Sequence, residues 1–203
     1  MAKPNRGIDF FDAQFQKQVA SGDFALNPFE TACLPLVRGR VLDLGCGLGN
    51  LSVQAARRGL EVIAVDASEA AVKRIRSAAA AEDLKIEAVH ADLETYAIAG
   101  QFDTVVAIGL LMFFRREKAL ALLQEIQEHV IPGGIAMVNV LTEGTTYMGM
   151  FEPDHYYLFG RDELRRRFAE WRMLYHAYDG FDAPENTRKE FVTLVAQRAA
   201  TPT

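Results

Sequence analysis

The feature that most constrains this chain is an alternation: short apolar runs, several closed by an acidic residue or a glycine, separated by stretches of helical periodicity. The runs are VLDL from Val41, EVIAVD ending at Asp66, KIEAVHADL ending at Leu93, FDTVVAIGLL from Phe102 and GIAMVNVL from Gly134. Runs this continuous match strands buried on both faces of a parallel sheet, with the intervening helices as right-handed crossovers. Ser68 is placed to cap a helix through EAAVKRIRSAAAA, Asn27 and Pro28 open another, and IPGG stops a helix running from Glu117 to Val130. WRMLYHAY and KEFVTLVAQR alternate as a closing antiparallel pair would. The expected fold is a doubly wound α/β sheet, mostly parallel, with an antiparallel edge.

At 203 residues, half of them hydrophobic, the chain is expected to form one domain with a full core. Its parts are an N-terminal helical cap at 1–38, a core at 39–141, and a substrate-side loop with closing helix and strands at 142–203. In the cap, Ile8, Phe11, Phe15 and Val19 recur at helical spacing and leave an aromatic face. Residues 143–160 have no clear period and read as a long loop or lid. A net charge of −5 supplies no basic face, so nucleic acid is not an expected partner. The longest uncharged apolar run, 104–114, is too short to cross a bilayer, and the N-terminus has no signal-type apolar stretch. Two cysteines, Cys33 and Cys46, give neither a disulfide framework nor a metal-ligand pattern. A cytoplasmic protein without a metal is therefore expected.

VLDLGCGLGN ends the first strand and opens a helix, the place where open α/β sheets bind ligands. Gly45, Gly47 and Gly49 let the backbone turn sharply and approach a ligand closely. Their spacing is G-x-G-x-G, with Asn50 where a dinucleotide fingerprint has its last glycine, and no Lys-Ser or Lys-Thr follows as a P-loop requires. Asp43 beside that turn would repel a pyrophosphate but suits an ammonium group, while the loop N–H groups face a carboxylate. Asp66, at the end of the second strand, can accept from both ribose hydroxyls. Asp92 in HADL can accept from an exocyclic adenine amine, with Leu93 beside the ring. Three acids at three successive strand ends point to a zwitterionic nucleoside.

VLDLGCGLGN, VIAVDAS, HADLETY, FDTVVAIGLLMFF and VIPGGIAMVNVL occur in an order that resembles the class I S-adenosylmethionine-dependent methyltransferases, over residues 40–141. The resemblance implies a seven-stranded sheet with an antiparallel last strand. It implies S-adenosylmethionine as cofactor, leaving as S-adenosylhomocysteine. Carried over by motif, Asp43, Gly45 and Gly47 line the methionine end, Asp66 the ribose, Asp92 and Leu93 the adenine, and Ile108 and Gly109 the sulfonium, with Cys46 and Ala67 also at the cofactor.

LLMFF and FGRDELRRRFAEWRMLYHAYD further resemble the tellurite-resistance methyltransferases, which act on tellurium and selenium species. That family's His-Arg pair is absent from DGFDAPENTRKEF, and Arg188 alone corresponds to its remaining arginine. The expected function is methyl transfer to a small molecule, a tellurium, selenium or sulfur species. The alternatives are another small metabolite as acceptor, or cofactor binding without turnover. Candidates for the acceptor are Phe15, His155, Tyr157 and Arg188. For His155 an exposed residue in a packed aromatic loop is the competing reading, and for Phe15 ordinary helix packing.

Overall fold

The computed structural model describes residues 6–200, apart from the side chains of residues 6, 8 and 9, so Ile8's place on the aromatic face lies outside the described residues. The chain builds a seven-stranded sheet in the order β3-β2-β1-β4-β5-β7-β6. The strands are β1 (Arg40–Leu44), β2 (Glu61–Asp66), β3 (Ile86–His90), β4 (Phe102–Ile108), β5 (Val130–Leu141), β6 (Arg172–Ala183) and β7 (Thr187–Gln197). The first five pair in parallel, and β7 runs antiparallel to both β5 and β6. This is the expected mostly parallel sheet with an antiparallel last strand.

The apolar runs are continuous because successive residues serve opposite cores. On one face Leu42, Val105, Ala107, Val138 and Val140 pack with Leu122, Leu123 and Ile126 of α5 (Arg116–His129). On the other, Val41, Ala64, Val106 and Met137 meet Leu51 and Ala55 of α3 (Asn50–Arg57) and Val72 and Ile75 of α4 (Glu69–Glu82). Both anticipated caps are present. Ser68 Oγ accepts from Ala71 N at 3.2 Å. Asn27 and Glu30 form a reciprocal capping box at α2 (Pro28–Cys33).

Three expectations are corrected. The helix does stop at IPGG, ending at His129, but the next strand starts before Gly134: β5 begins at Val130, and residues 131–134 make a register shift opposite Phe102–Thr104. The shifted segment is held by Gly133 N donating to the Arg198 carbonyl and Arg198 N donating to the Gly134 carbonyl. The helix expected from RDELRRRFAEW shortens to α6 (Glu163–Arg167), because the chain then turns to pack Phe168 edge-on against Trp171, centroids 5.1 Å apart. In α1 (Arg6–Ser21) Val19 leaves the aromatic face and is 48% exposed.

The glycine loop is built by close approach on every side. Gly45, Gly47 and Gly49 all have positive φ, at 65°, 52° and 70°. A Cβ at Gly49 would lie 2.5 Å from Ile75 Cγ1, so this glycine lets the start of α3 rest on α4. Gly49→Ala is expected to cost about 1–3 kcal/mol of stability in urea unfolding, from the left-handed backbone and the clash together. In an Ile75→Ala background, which carries its own cost for a lost core side chain, the added Gly49→Ala should cost only the backbone part of that loss.

Candidate functional site

A cavity of about 410 Å³ opens at the carboxyl ends of β1, β2 and β4, where the strand order reverses. Its floor is the glycine loop and its walls are strand ends. α1 and the turn after β4 form the roof. Phe11 meets Phe113 edge-on at 5.2 Å, and Phe113 leans on Phe151 of the 143–160 segment at 5.1 Å. The phenylalanines of α1 (Phe10, Phe11 and Phe15) all line the cavity, and Phe15 lies against Gly47, 3.1 Å from where a Cβ would stand.

Asp66 organises the floor. One carboxylate oxygen accepts from Gly47 N and the other from Ser68 N, both at 2.8 Å. Burial pushes its pKa up and these two N–H groups pull it back. A carboxylate oxygen has more than one lone pair, so Asp66 retains capacity for further donors from the cavity. Ser68 Oγ in turn donates to Asp12 of α1, fastening the roof to the floor.

Asp43 lies deeper, 4% exposed, and accepts from Ser52 Oγ at 2.6 Å. Burial raises its pKa to about 7 against the lowering pull of that hydrogen bond, with Glu30 and Asp66 raising it further. A carboxyl held there is poised to ionise when a cation arrives. Cys46 is buried beside it and its thiol is pushed well above the usual range by burial, which leaves it no role as a nucleophile. Asp92 lines the cavity and accepts from Glu94 N at 2.9 Å, while Leu93 packs into the core. Ala67, Ile108 and Gly109 complete the wall. All ten residues assigned to the cofactor therefore surround one space.

The acceptor candidates separate. Phe15 lines the cavity, but His155, Tyr157 and Arg188 lie outside its lining. His155 is paired with Glu94 at 2.7 Å, tying the 143–160 segment to the loop after β3. Tyr157 donates to Glu163 at 2.7 Å and its ring packs against Phe159. Arg188 is drawn outward to Glu190 and to Asp182, the latter at 3.1 Å. In their place the structure presents Asn139, Lys189, Phe29, Phe113, Met150 and Phe191. Asn139 had a visible signal, a lone amide inside the apolar run GIAMVNVL. Lys189 had only its alternation with Arg188 on a two-residue period.

The comparisons agree with this geometry. The family profile described as a methyltransferase domain matches residues 41–134. The chain is 25% identical over 166 residues to the probable S-adenosyl-L-methionine-dependent methyltransferase TehB of Haemophilus influenzae, covering 82% of this chain and 56% of that protein. It is 29% identical over 170 residues to hemagglutinin 1 of Eikenella corrodens, covering 78% of this chain and 54% of that one. It thus spans little more than half the length of these two relatives. Among solved structures, TehB from H. influenzae superposes with a TM-score of 0.75 at 20% identity, over 95% of this chain and 67% of the other. A Burkholderia thailandensis 1,6-didemethyltoxoflavin-N1-methyltransferase, solved with S-adenosylhomocysteine, gives 0.70 at 19% identity over 95% and 87%. With its strand order, its glycine loop and its matched core, the chain has the class I methyltransferase fold and is similar to the S-adenosylmethionine-dependent methyltransferases over residues 41–134.

Proposed function

We propose that the chain binds S-adenosylmethionine in this cavity and transfers its methyl group to a small acceptor whose nucleophile is a sulfur, selenium or tellurium centre. The acids at the ends of β1, β2 and β3 support the cofactor. Asp43 faces the ammonium of the methionine end, Asp66 the ribose hydroxyls, and Asp92 with Leu93 the adenine, while Ile108 and Gly109 border the sulfonium. A bridged diphosphate would meet these carboxylates as like charges.

The observation that carries the acceptor reading is that no histidine and no unengaged carboxylate lines the wall among the described residues. Each of its five carboxylates is already engaged: Glu30 by Asn27 N, Asp43 by Ser52, Asp66 by Gly47 and Ser68, Asp92 by Glu94 N, and Glu94 by His155. A neutral amine or hydroxyl would need a base. A soft anion does not: its lone pair attacks the methyl carbon, the carbon–sulfonium bond breaks onto sulfur, and the products are a methylated acceptor and S-adenosylhomocysteine. The protein's part is alignment, worth roughly 7–11 kcal/mol when the reacting atoms are well oriented.

The sequence resemblance to the tellurite-resistance methyltransferases supports tellurium and selenium species, and the aromatic and methionine walls suit polarisable atoms generally. We take the whole described chain as one catalytic unit that works in the cytoplasm on free small molecules. No helix of the described residues is long and apolar enough to cross a membrane. Turnover with selenite, tellurite and small thiols, followed by product mass, tests the reading. A methylated product from at least one supports it; cofactor binding without any product would make this a binding protein.

Two further outcomes are expected. Asp66→Ala should weaken cofactor binding by about 1.5–3 kcal/mol in calorimetry, the worth of hydrogen bonds to a charged group. The second concerns Asp43, raised to about 7 in the empty site. A cation beside it lowers that value, so the bound state holds fewer protons than the free state. Affinity for S-adenosylmethionine should therefore rise with pH up to about 7 and then level off. Calorimetry at pH 6 in buffers of different ionisation enthalpy should show close to one proton released, and Asp43→Asn should abolish the release.

A further inference from the structure

The far wall of the cavity is one face of β7. Lys189, Phe191 and Thr193 alternate with Arg188, Glu190 and Val192, so the first three share a face. Thr193 stands opposite Asn139 on β5, which in turn pairs with Ile108 on β4. The strand thus leads from the sulfonium border outward to Lys189, four residues and about 13 Å away at the usual rise.

Both ends of this wall are chemically incomplete. The Asn139 amide donates to Thr193 Oγ1 at 2.9 Å and to the Val192 carbonyl at 3.5 Å. A carbonyl only accepts, so the NH2 must face β7 and the amide oxygen points elsewhere. That oxygen is buried and has no hydrogen-bond partner among the described residues. A buried acceptor left unpaired is costly, and a ligand donor would complete it, as the S–H of an acceptor thiol does before it ionises. At the other end, Lys189 is the only basic residue lining the cavity among the described residues. It has no carboxylate within 4.0 Å there, and its ammonium lies 4.6 Å from the centre of the Tyr147 ring. Burial lowers its pKa, as expected for a cation kept from water without a counter-charge. Arg188 beside it is by contrast fully paired on the outer face. Between the two ends lie the rings of Phe29 and Phe191, centroids 4.7 Å apart.

Resting on the methyltransferase reading, we propose that the acceptor is an elongated organic anion. Its reacting atom sits by Ile108 and Asn139, its apolar body lies along Phe191 and Phe29, and a carboxylate-like group distant from the reacting atom pairs with Lys189. A bare oxyanion such as selenite fills only one of these positions. The acidic cofactor end and the single cation at the far end also orient such a molecule, since its anionic group is repelled from the floor and attracted to β7.

The test is binding of two product-like probes to the protein loaded with S-adenosylhomocysteine: 4-(methylthio)benzoate and its neutral counterpart 4-(methylthio)toluene, measured by calorimetry at pH 7. The benzoate should bind at least tenfold more tightly. Lys189→Met keeps the apolar stem and should erase that preference, weakening the benzoate at least tenfold and leaving the toluene within about twofold. Lys189→Arg should retain most of the preference. Equal affinities in the unaltered protein would overturn the proposal. So would a Lys189→Met variant that weakens both probes equally, which is what a purely structural role through Tyr147 predicts. Should that variant fail to fold, the comparison of the two probes on the unaltered protein decides alone. The methyltransferase reading is scored separately, by methyl transfer from S-adenosylmethionine to the matching thiols. Its failure would leave the binding preference standing as a property of the pocket.

Discussion

The carboxylate of Asp66 is the junction on which the site depends. It ends β2, accepts from the loop after β1 through Gly47 N, and accepts from the start of α4 through Ser68 N. Ser68 then passes the connection to Asp12 of α1. One side chain therefore sets the loop that forms the floor, the helix that flanks it and, through one intermediary, the helix that roofs it. The glycines would otherwise be the most permissive residues of the chain. Anchored by Asp66 and pressed by Leu110, Phe15 and Ile75, they have a single conformation to adopt.

The second organising property is the distribution of charge. Five carboxylates line the cavity, and Lys189 is the one cation among its described walls. Burial holds Asp43 and Asp66 above the ordinary carboxylate range, so the floor stores unfavourable electrostatics that an incoming cation relieves. A cofactor bearing an ammonium and a sulfonium answers that demand. The same engagement of every carboxylate by a donor underlies the proposed preference for nucleophiles that arrive already reactive. In the proposed reading, binding of the cofactor and choice of the acceptor follow from one arrangement of charges.

Much of the fold was legible because strands buried on both faces leave an unbroken apolar signature, and the three acids mark the strand ends that meet at the crevice. Boundaries governed by tertiary contacts were not. IPGG does stop the helix, yet hydrogen bonds to Arg198 carry it into β5 ahead of the run that begins at Gly134. RDELRRRFAEW carries a helical pattern, yet the packing of Phe168 on Trp171 ends α6 after five residues. The acceptor side was the least legible part. His155, Tyr157 and Arg188 have reactive or charged groups, but each finds a partner inside the protein: Glu94, Glu163, and Glu190 with Asp182. Asn139 and Lys189 acquire meaning only when β5 and β7 place them on one wall. Sequence shows which groups are polar, whereas only the fold shows which of them lack a partner.

The central claim is that this crevice recognises a cation-bearing nucleoside and rejects a bridged diphosphate. Titration calorimetry of the same protein with S-adenosylmethionine and with NAD tests it most directly. The account predicts saturable one-to-one binding of the sulfonium compound and no detectable heat from the dinucleotide. Tighter binding of NAD, or indifference to both, would contradict it.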